Sequence, residues 1–228
     1  MLKVITIPVT DFIQNSRILV DEESSEACVI DPGGEVEKIF SVIKELNLNI
    51  SKLVMTHAHI DHIGGVAPLL RLFDDSGQKP VLYGHRVEKE MRQSILMQCE
   101  MFGVSGYENA PEPDVYSDDG DLVKIGRYEG KFLFTPGHAP GHLALYFEKL
   151  DWKSGNSQEV VRSPVLIAGD TIFESSIGRT DLPGGNFETL IDSIKSKILT
   201  LPDETAILPG HGPDTNVGRE KNQNPFLQ

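Results

Sequence analysis

The sequence predicts an α/β fold in which a sheet is covered by helices. Two patterns carry that expectation. Short apolar runs alternate with segments whose apolar residues recur at helical spacing. Four polar clusters then follow four of those apolar runs, each beside glycine or proline: His57 to His62, His138 with His142, Asp170, and His211. Clusters at the carboxyl ends of strands are where open α/β architectures concentrate function.

Taken in order, Lys3 to Pro8, Arg17 to Val20 and Ala27 to Ile30 read as strands, the last ending in the turn signal Asp31-Pro32-Gly33-Gly34. Glu35 to Leu46 carries Val36, Ile39, Phe40, Ile43 and Leu46 at helical spacing. Ser51 to Met55 returns as a strand and runs into Thr56-His57-Ala58-His59-Ile60-Asp61-His62; a helix starts after Gly65 and continues to Phe73. Pro80 to Tyr83 is a short strand. Glu88 to Phe102 reads as one helix, whose methionines at 91, 97 and 101 are expected to pack in the core, with the border of a pocket as the second reading. Gly103 to Gly120 is loop-rich. Asp121 to Ile125, Lys131 to Thr135, Leu143 to Phe147 and Val165 to Ala168 read as strands, with Asp151 to Ser163 a long exposed hairpin. Phe187 to Leu199 is a helix, and Ala206 to Leu208 a last strand. The 228 residues are expected to form one domain.

Composition narrows the function. Hydrophobic residues at 39% and charged residues at 24% describe an ordinary globular protein, with no apolar run long enough to cross a bilayer. The first ten residues alternate apolar and polar and lack the features of a signal peptide. Cys28 and Cys99 fall in an apolar strand and a helix and read as buried free thiols. Both observations favour the cytoplasm. A net charge of −13 repels phosphate backbones and disfavours nucleic acid as a partner.

The chemistry rests on H-x-H-x-D-H at 57–62. Alternating residues of an extended loop point the same way, so His57 and His59 can grip one ion, while Asp61 and His62 lie further round the turn and can serve a second. Imidazole with carboxylate suits zinc, manganese or iron. Asp170, in Gly169-Asp170-Thr171, follows a buried strand and needs a partner, which a metal supplies; the alternative is an N-cap of the following turn.

These residues carry a resemblance. The chain is similar to metallo-β-lactamase-fold hydrolases and, more narrowly, to the short type II glyoxalases, the hydroxyacylglutathione hydrolases without a helical C-terminal domain. The matching pieces are T-H-A-H-I-D-H-I-G-G at 56–65, T-P-G-H-A-P-G-H at 135–142, A-G-D-T at 168–171, S-I-G-R-T-D-L-P-G-G at 176–185 and L-P-G-H-G-P-D-T at 208–215. The resemblance implies a four-layer αββα sandwich. It implies two divalent metal ions, zinc first with iron or manganese as alternatives. His57, His59 and His138 match the ligands of the first ion, Asp61, His62 and His211 those of the second, and Asp170 the bridging carboxylate. Asp61 is then also placed to orient the nucleophile. His142 reads as packing or support, His85 as a surface histidine, and Asp31 as a turn residue that hydrogen-bonds the metal loop.

The activity so implied is hydrolysis of S-D-lactoylglutathione or a related acylglutathione thioester to D-lactate and glutathione. Two-domain type II glyoxalases hold glutathione with a lysine and a tyrosine and a helical domain that this sequence does not match. At the comparable loop stands Arg179, open to two readings: a grip on a glutathione carboxylate, or a pair with Asp181 that braces the loop. Persulfide dioxygenases share the fold and much of the ligand set with a single iron, and form the alternative class; a lactonase or β-lactamase is a variant within the hydrolases.

Overall fold

The computed structural model describes residues 1–228. In chain order the strands and helices are β1 Leu2–Val9, β2 Gln14–Asp21, β3 Glu26–Ile30, α1 Val36–Glu45, β4 Asn49–Val54, α2 Ile60–Ile63, α3 Val66–Ser76, β5 Val81–Gly84, α4 Lys89–Arg92, α5 Ile95–Phe102, β6 Val115–Tyr116, β7 Leu122–Ile125, β8 Tyr128–Phe134, β9 Leu143–Ser154, β10 Val161–Gly169, β11 Ile172–Phe173, β12 Ser176–Ile177, α6 Phe187–Ser193, β13 Ala206–Pro209, β14 Thr215–Asn216 and α7 Val217–Gln223. No helix is long and apolar enough to cross a membrane.

The strands run β6-β5-β4-β3-β2-β1 in one half and β7-β8-β9-β10-β13-β14 in the other. The long strand β9 belongs to both halves. Its first residues, Leu143 to Phe147, pair with β8 and β10, and its last, Trp152 to Ser154, lie parallel to Leu2–Val4. Parallel pairs β3–β4, β4–β5 and β10–β13 are joined through helices.

Residue alternation makes the layers, because neighbours on a strand face opposite ways. Ile18, Val20 and Val29 pack outward against helical residues such as Ile39, Ile43, Leu69 and Phe73. Leu19, Cys28 and Ile30, between them in sequence, pack inward against Phe132, Leu145, Phe147, Val165 and Ile167 of the other half. Leu133, Ala144, Leu166 and Ile207 face outward again, onto Leu190, Ile194, Ile198 and Val217. Three apolar layers between four structural layers give the αββα sandwich, as expected.

Three expectations are corrected. The helix expected over Glu88 to Phe102 is broken at Gln93-Ser94. The Ser94 hydroxyl donates to the Met91 carbonyl (2.8 Å), and Asn109 Oδ1 accepts from the Ile95 N–H (2.9 Å), so side chains replace the continuing helical bonds. The 151–163 hairpin is there, but its base is regular strand and not all of it is exposed: Trp152 is buried and its Nε1 donates to the Ser163 hydroxyl (3.0 Å). Strand β2 starts three residues earlier than expected. Its polar Gln14, Asn15 and Ser16 are buried under the ligand-bearing loops, where the Asn15 amide donates to the carbonyls of Pro209 and Gly212.

Candidate metal centre

Four strand ends converge. β4 delivers His57 to His62, β8 delivers His138, β10 delivers Asp170, and β13 delivers His211. The first loop is extended, and its backbone is held by side chains rather than by a ladder. Asp31 accepts from the Thr56 N–H (2.7 Å) and hydroxyl (2.6 Å). Glu88 accepts from the Ala58 N–H (2.7 Å), and Gln98 accepts from the Ile60 N–H (2.8 Å) while donating to the Ala58 carbonyl (3.1 Å). Two glycines permit the close approach. A Cβ on Gly33 would fall 1.6 Å from the Asp61 carbonyl oxygen, and one on Gly210 would fall 2.2 Å from Asp170 Oδ1.

All seven expected ligand residues gather in three overlapping groups: His57, His59 and His138; His57, His62 and Asp170; and Asp61, His62 and His211. In the first, His57 Nε2, His59 Nδ1 and His138 Nε2 lie 3.0, 2.9 and 3.2 Å from one another. Three nitrogens held tetrahedrally on one zinc-sized ion would be about 3.3 Å apart. Outer partners fix the tautomers. His138 Nδ1 donates to the Arg179 carbonyl (2.8 Å). The Thr56 hydroxyl gives its proton to Asp31 and so accepts from His57 Nδ1 (3.0 Å). His62 Nδ1 donates to Asp31 (2.9 Å), and His211 Nδ1 to the Phe12 carbonyl (3.1 Å). Each leaves its Nε2 lone pair aimed at the centre.

The second group is richer in carboxylate. His211 Nε2 is 3.1 Å from Asp61 Oδ2. Asp170 stands between the groups, with Oδ1 3.2 Å from His62 Nε2 and Oδ2 3.6 Å from both His138 Nε2 and His211 Nε2. His62 Nε2 and Asp170 Oδ1 are buried and close, yet neither has a hydrogen-bond partner. Orphaned buried polar atoms of this kind fit a cation between them.

The electrostatics divide the same way. Burial, with the neighbouring imidazoles, pushes the His57 imidazolium well below its usual range and brings His59 to about 3; burial also lowers His138. These three present neutral lone pairs. His62 goes the other way: burial would lower it, but Asp170, Asp61 and Asp31 outweigh that and raise it well above normal. Asp61 and Asp170 are both held low, burial being outweighed chiefly by the charge on His62. Such a His/Asp cluster has the composition of a binuclear metal site.

Arg179 lies at the mouth of the cavity over this cluster, about 310 Å³, with Phe12, Phe102, Phe173, Ile177 and Leu182. Its guanidinium makes two 2.7 Å bonds to the Asp181 carboxylate, so the brace expected as one reading is formed. His142 is a support: its Nε2 accepts from the Asp170 N–H (3.0 Å). His85, expected at the surface, is buried, stacked 4.7 Å from Phe134 and 3.1 Å from Asp118, because the turn after β5 folds it inward.

Glu88 and Gln98 were not foreseen. The signal available was helical register: Glu88 and Arg92 share the stripe of Ile95 and Cys99, where a charged side chain must be buried and partnered. The methionine helix is the remaining correction. Met97 and Met101 are mostly exposed and border a cleft with Met91, as the second reading had it.

A family model described as the metallo-beta-lactamase superfamily matches residues 9–152 and 154–211. The hydroxyacylglutathione hydrolase GloC of Haemophilus influenzae is 35% identical over 221 residues, covering 97% of this chain and 96% of that protein. Among solved structures, the BLEG-1 B3 metallo-beta-lactamase superposes with a TM-score of 0.82 at 32% identity, covering 98% and 99% of the two chains. The di-iron-bound form of TTHA1623 gives 0.80 at 30% identity, covering 97% and 99%.

Proposed function

This chain belongs to the metallo-beta-lactamase superfamily, and on that premise we propose that it is a binuclear-metal thioesterase hydrolysing S-D-lactoylglutathione or a closely related acylglutathione. The observation that carries the reading is the double grouping of ligand atoms, a neutral histidine trio beside a carboxylate-bearing set, with Asp170 within 3.6 Å of members of both. A relative named for hydroxyacylglutathione hydrolysis supports the substrate class.

His57, His59 and His138 would hold one ion, Asp61, His62 and His211 the second, and Asp170 both. Two divalent ions, when bound, lower the pKa of a water to near neutrality and polarise a carbonyl. Zinc fits the His/Asp donor set, and a di-iron relative shows that iron is accommodated in this fold at 30% identity. The residues supply the rest. The Thr56, Asp31, Arg179 and Phe12 contacts keep the imidazole lone pairs directed inward. Asp61 would also orient the nucleophile. A thioester expels a thiolate whose parent pKa is about 8.5, so it departs without a strong general acid, and the cavity offers no free one. Arg179 can exchange its exposed partner Asp181 for a substrate carboxylate at small cost, since an ion pair this open to water contributes little. Methylglyoxal detoxification in the cytoplasm is the role such an activity would serve.

The test offers metal-replete protein S-D-lactoylglutathione and glutathione persulfide in parallel, following thiol release and dissolved oxygen. Thioester cleavage without oxygen uptake is expected. Oxygen consumption with the persulfide and no thioester cleavage would move the chain to the dioxygenase class.

A further inference from the structure

The cavity over the histidine cluster does not end there. A second cleft of about 340 Å³ adjoins it, lined by Val87, Met91, Met97, Met101, Pro140 and Pro183. His59, Phe102 and Leu182 line both spaces, so the cleft opens directly onto the cluster. The two spaces differ in chemistry. The one over the cluster has Arg179 at its rim, whereas the cleft has no cation at all and Glu90 as its only charge. Met97, Met101 and Val87 are 65%, 55% and 51% exposed. Three apolar side chains left open to water around the cleft, two of them on α5, form beside the cluster a surface that a ligand can cover.

We propose that this methionine cleft is the acyl-side pocket of the site, and that the protein prefers thioesters with an extended apolar acyl chain over the short, hydroxylated lactoyl group. The inference rests on the thioesterase reading and narrows its substrate class. A thioester lying across the cluster has two arms. The anionic peptide arm of glutathione belongs on the side of the one cation, Arg179. The acyl arm then points past His59 into the cleft. Of the polar side chains that line the cleft, Ser94 and Gln98 already bond the backbone of Met91, Ala58 and Ile60, so an alkyl chain leaving water for this surface gains more than a short hydroxylated group does. Unbranched, polarisable methionines adapt to chains of different length rather than select one.

The experiment uses the metal-loaded full chain and two readouts. The first is hydrolysis of a series of S-acylglutathiones: acetyl, lactoyl, butanoyl, hexanoyl and octanoyl. Each methylene that enters the cleft is expected to raise kcat/KM by up to about 4-fold, until the cleft is filled. The second is the dissociation constant, by calorimetry, of S-hexylglutathione against S-methylglutathione; these thioethers cannot be hydrolysed. The hexyl compound is expected to bind at least about 10-fold more tightly. Met101→Glu, at an exposed position that does not threaten the fold, should flatten both trends. Leu96→Glu, on the same helix and 60% exposed but not lining the cleft, should leave both trends in place. Cleavage of acetyl and lactoyl thioesters with no gain from chain length, or equal binding of the two thioethers, overturns the cleft assignment and leaves the thioesterase standing. Cleavage of no thioester while the hexyl compound still binds more tightly overturns the thioesterase and keeps the apolar arm. A Met101→Glu variant that changes the oligomeric state on sizing, with unchanged S-hexylglutathione binding, assigns the wall to a second copy of the chain instead.

Discussion

Asp31 accepts three hydrogen bonds, from the Thr56 N–H, the Thr56 hydroxyl and His62 Nδ1. Only a carboxylate can accept all three. In Asp31→Asn, one orientation of the amide turns its NH2 toward His62 Nδ1–H, and the other turns it toward the Thr56 N–H. Meeting a donor, His62 must move its proton to Nε2 and lose the lone pair it directs inward, or the loop must shift. The variant is therefore expected to lose about 10–100-fold in metal affinity at the second group while the first group is less affected, measured by titration with zinc or manganese against a chelating indicator. Equal affinity at both groups would remove Asp31 from the site. Arg179→Ala tests the other side of the cavity. The Arg179 carbonyl that holds His138 is backbone and survives the change. KM for S-D-lactoylglutathione should rise about 10-fold with kcat within about twofold, because a carboxylate gripped at the periphery is gripped equally in ground and transition states. A fall in kcat at constant KM would instead make the Arg179–Asp181 pair a brace for the loop.

At the scale of elements, the ion pair of Asp21 with Arg127 helps tie the two halves at the end of the sandwich away from the ligands. Asp21, the last residue of β2, is buried and accepts from the Arg127 N–H (3.1 Å) and from its guanidinium (3.0 Å) in the β7–β8 turn. Burial would raise this carboxyl, but the Arg127 bonds outweigh it and bring it to about 2, below its ordinary 3.8. A depressed acid contributes stability above its unfolded pKa and loses it as pH falls through the folded value. So Asp21→Asn should unfold at a lower urea concentration than the parent at pH 7, and the gap should narrow only between about pH 4 and pH 2. A gap independent of pH would mean that shape and not charge matters at the turn. The sequence made the strands legible because apolar, β-branched runs such as Ala27 to Ile30 declare themselves, and it made the ligands legible because His and Asp recur at strand ends. It did not show the break at Ser94, which depends on Asn109 arriving from elsewhere in the chain. Nor did it show that Met97 and Met101 stay open to water, since helical spacing marks a stripe without saying what covers it. His85 and Glu88 were hidden for the same reason: their partners, Asp118 and the backbone of residues 58 and 141, are set by tertiary approach.

For the molecule as a whole, the ligand cluster is a junction between halves. His57, His59, Asp61 and His62 come from the half built on β1 to β6, and His138, Asp170 and His211 from the half built on β7 to β14. Protein contacts also cross there: the Asn15 N–H donates to the Gly210 carbonyl (2.7 Å), the Leu143 N–H to the Thr56 carbonyl (2.8 Å), and buried Arg17 to the Pro209 carbonyl (3.0 Å) and Asp214 (2.8 Å). Those bonds, with the apolar layer between the sheets, should hold the fold together without metal. What they cannot do is relieve the cluster itself, where the Asp61 and Asp170 carboxylates converge on His211 Nε2 and where His62 Nε2 and Asp170 Oδ1 have no hydrogen-bond partner. An ion that binds only the folded state adds RT ln(1 + [ion]/Kd), about 2.7 kcal/mol at a hundredfold excess over Kd. For a chain of this length that corresponds to a melting temperature about 5–10 °C higher. Chelation followed by gel filtration should therefore lower the midpoint by about 5–10 °C for each ion removed, about 10–20 °C for two, without unfolding the protein at room temperature. Zinc or manganese should restore it in proportion to ions bound, reaching two per chain. Recovery complete at one ion per chain would show that the second group is not a metal site, and an unchanged midpoint would show that the junction is held by protein contacts alone.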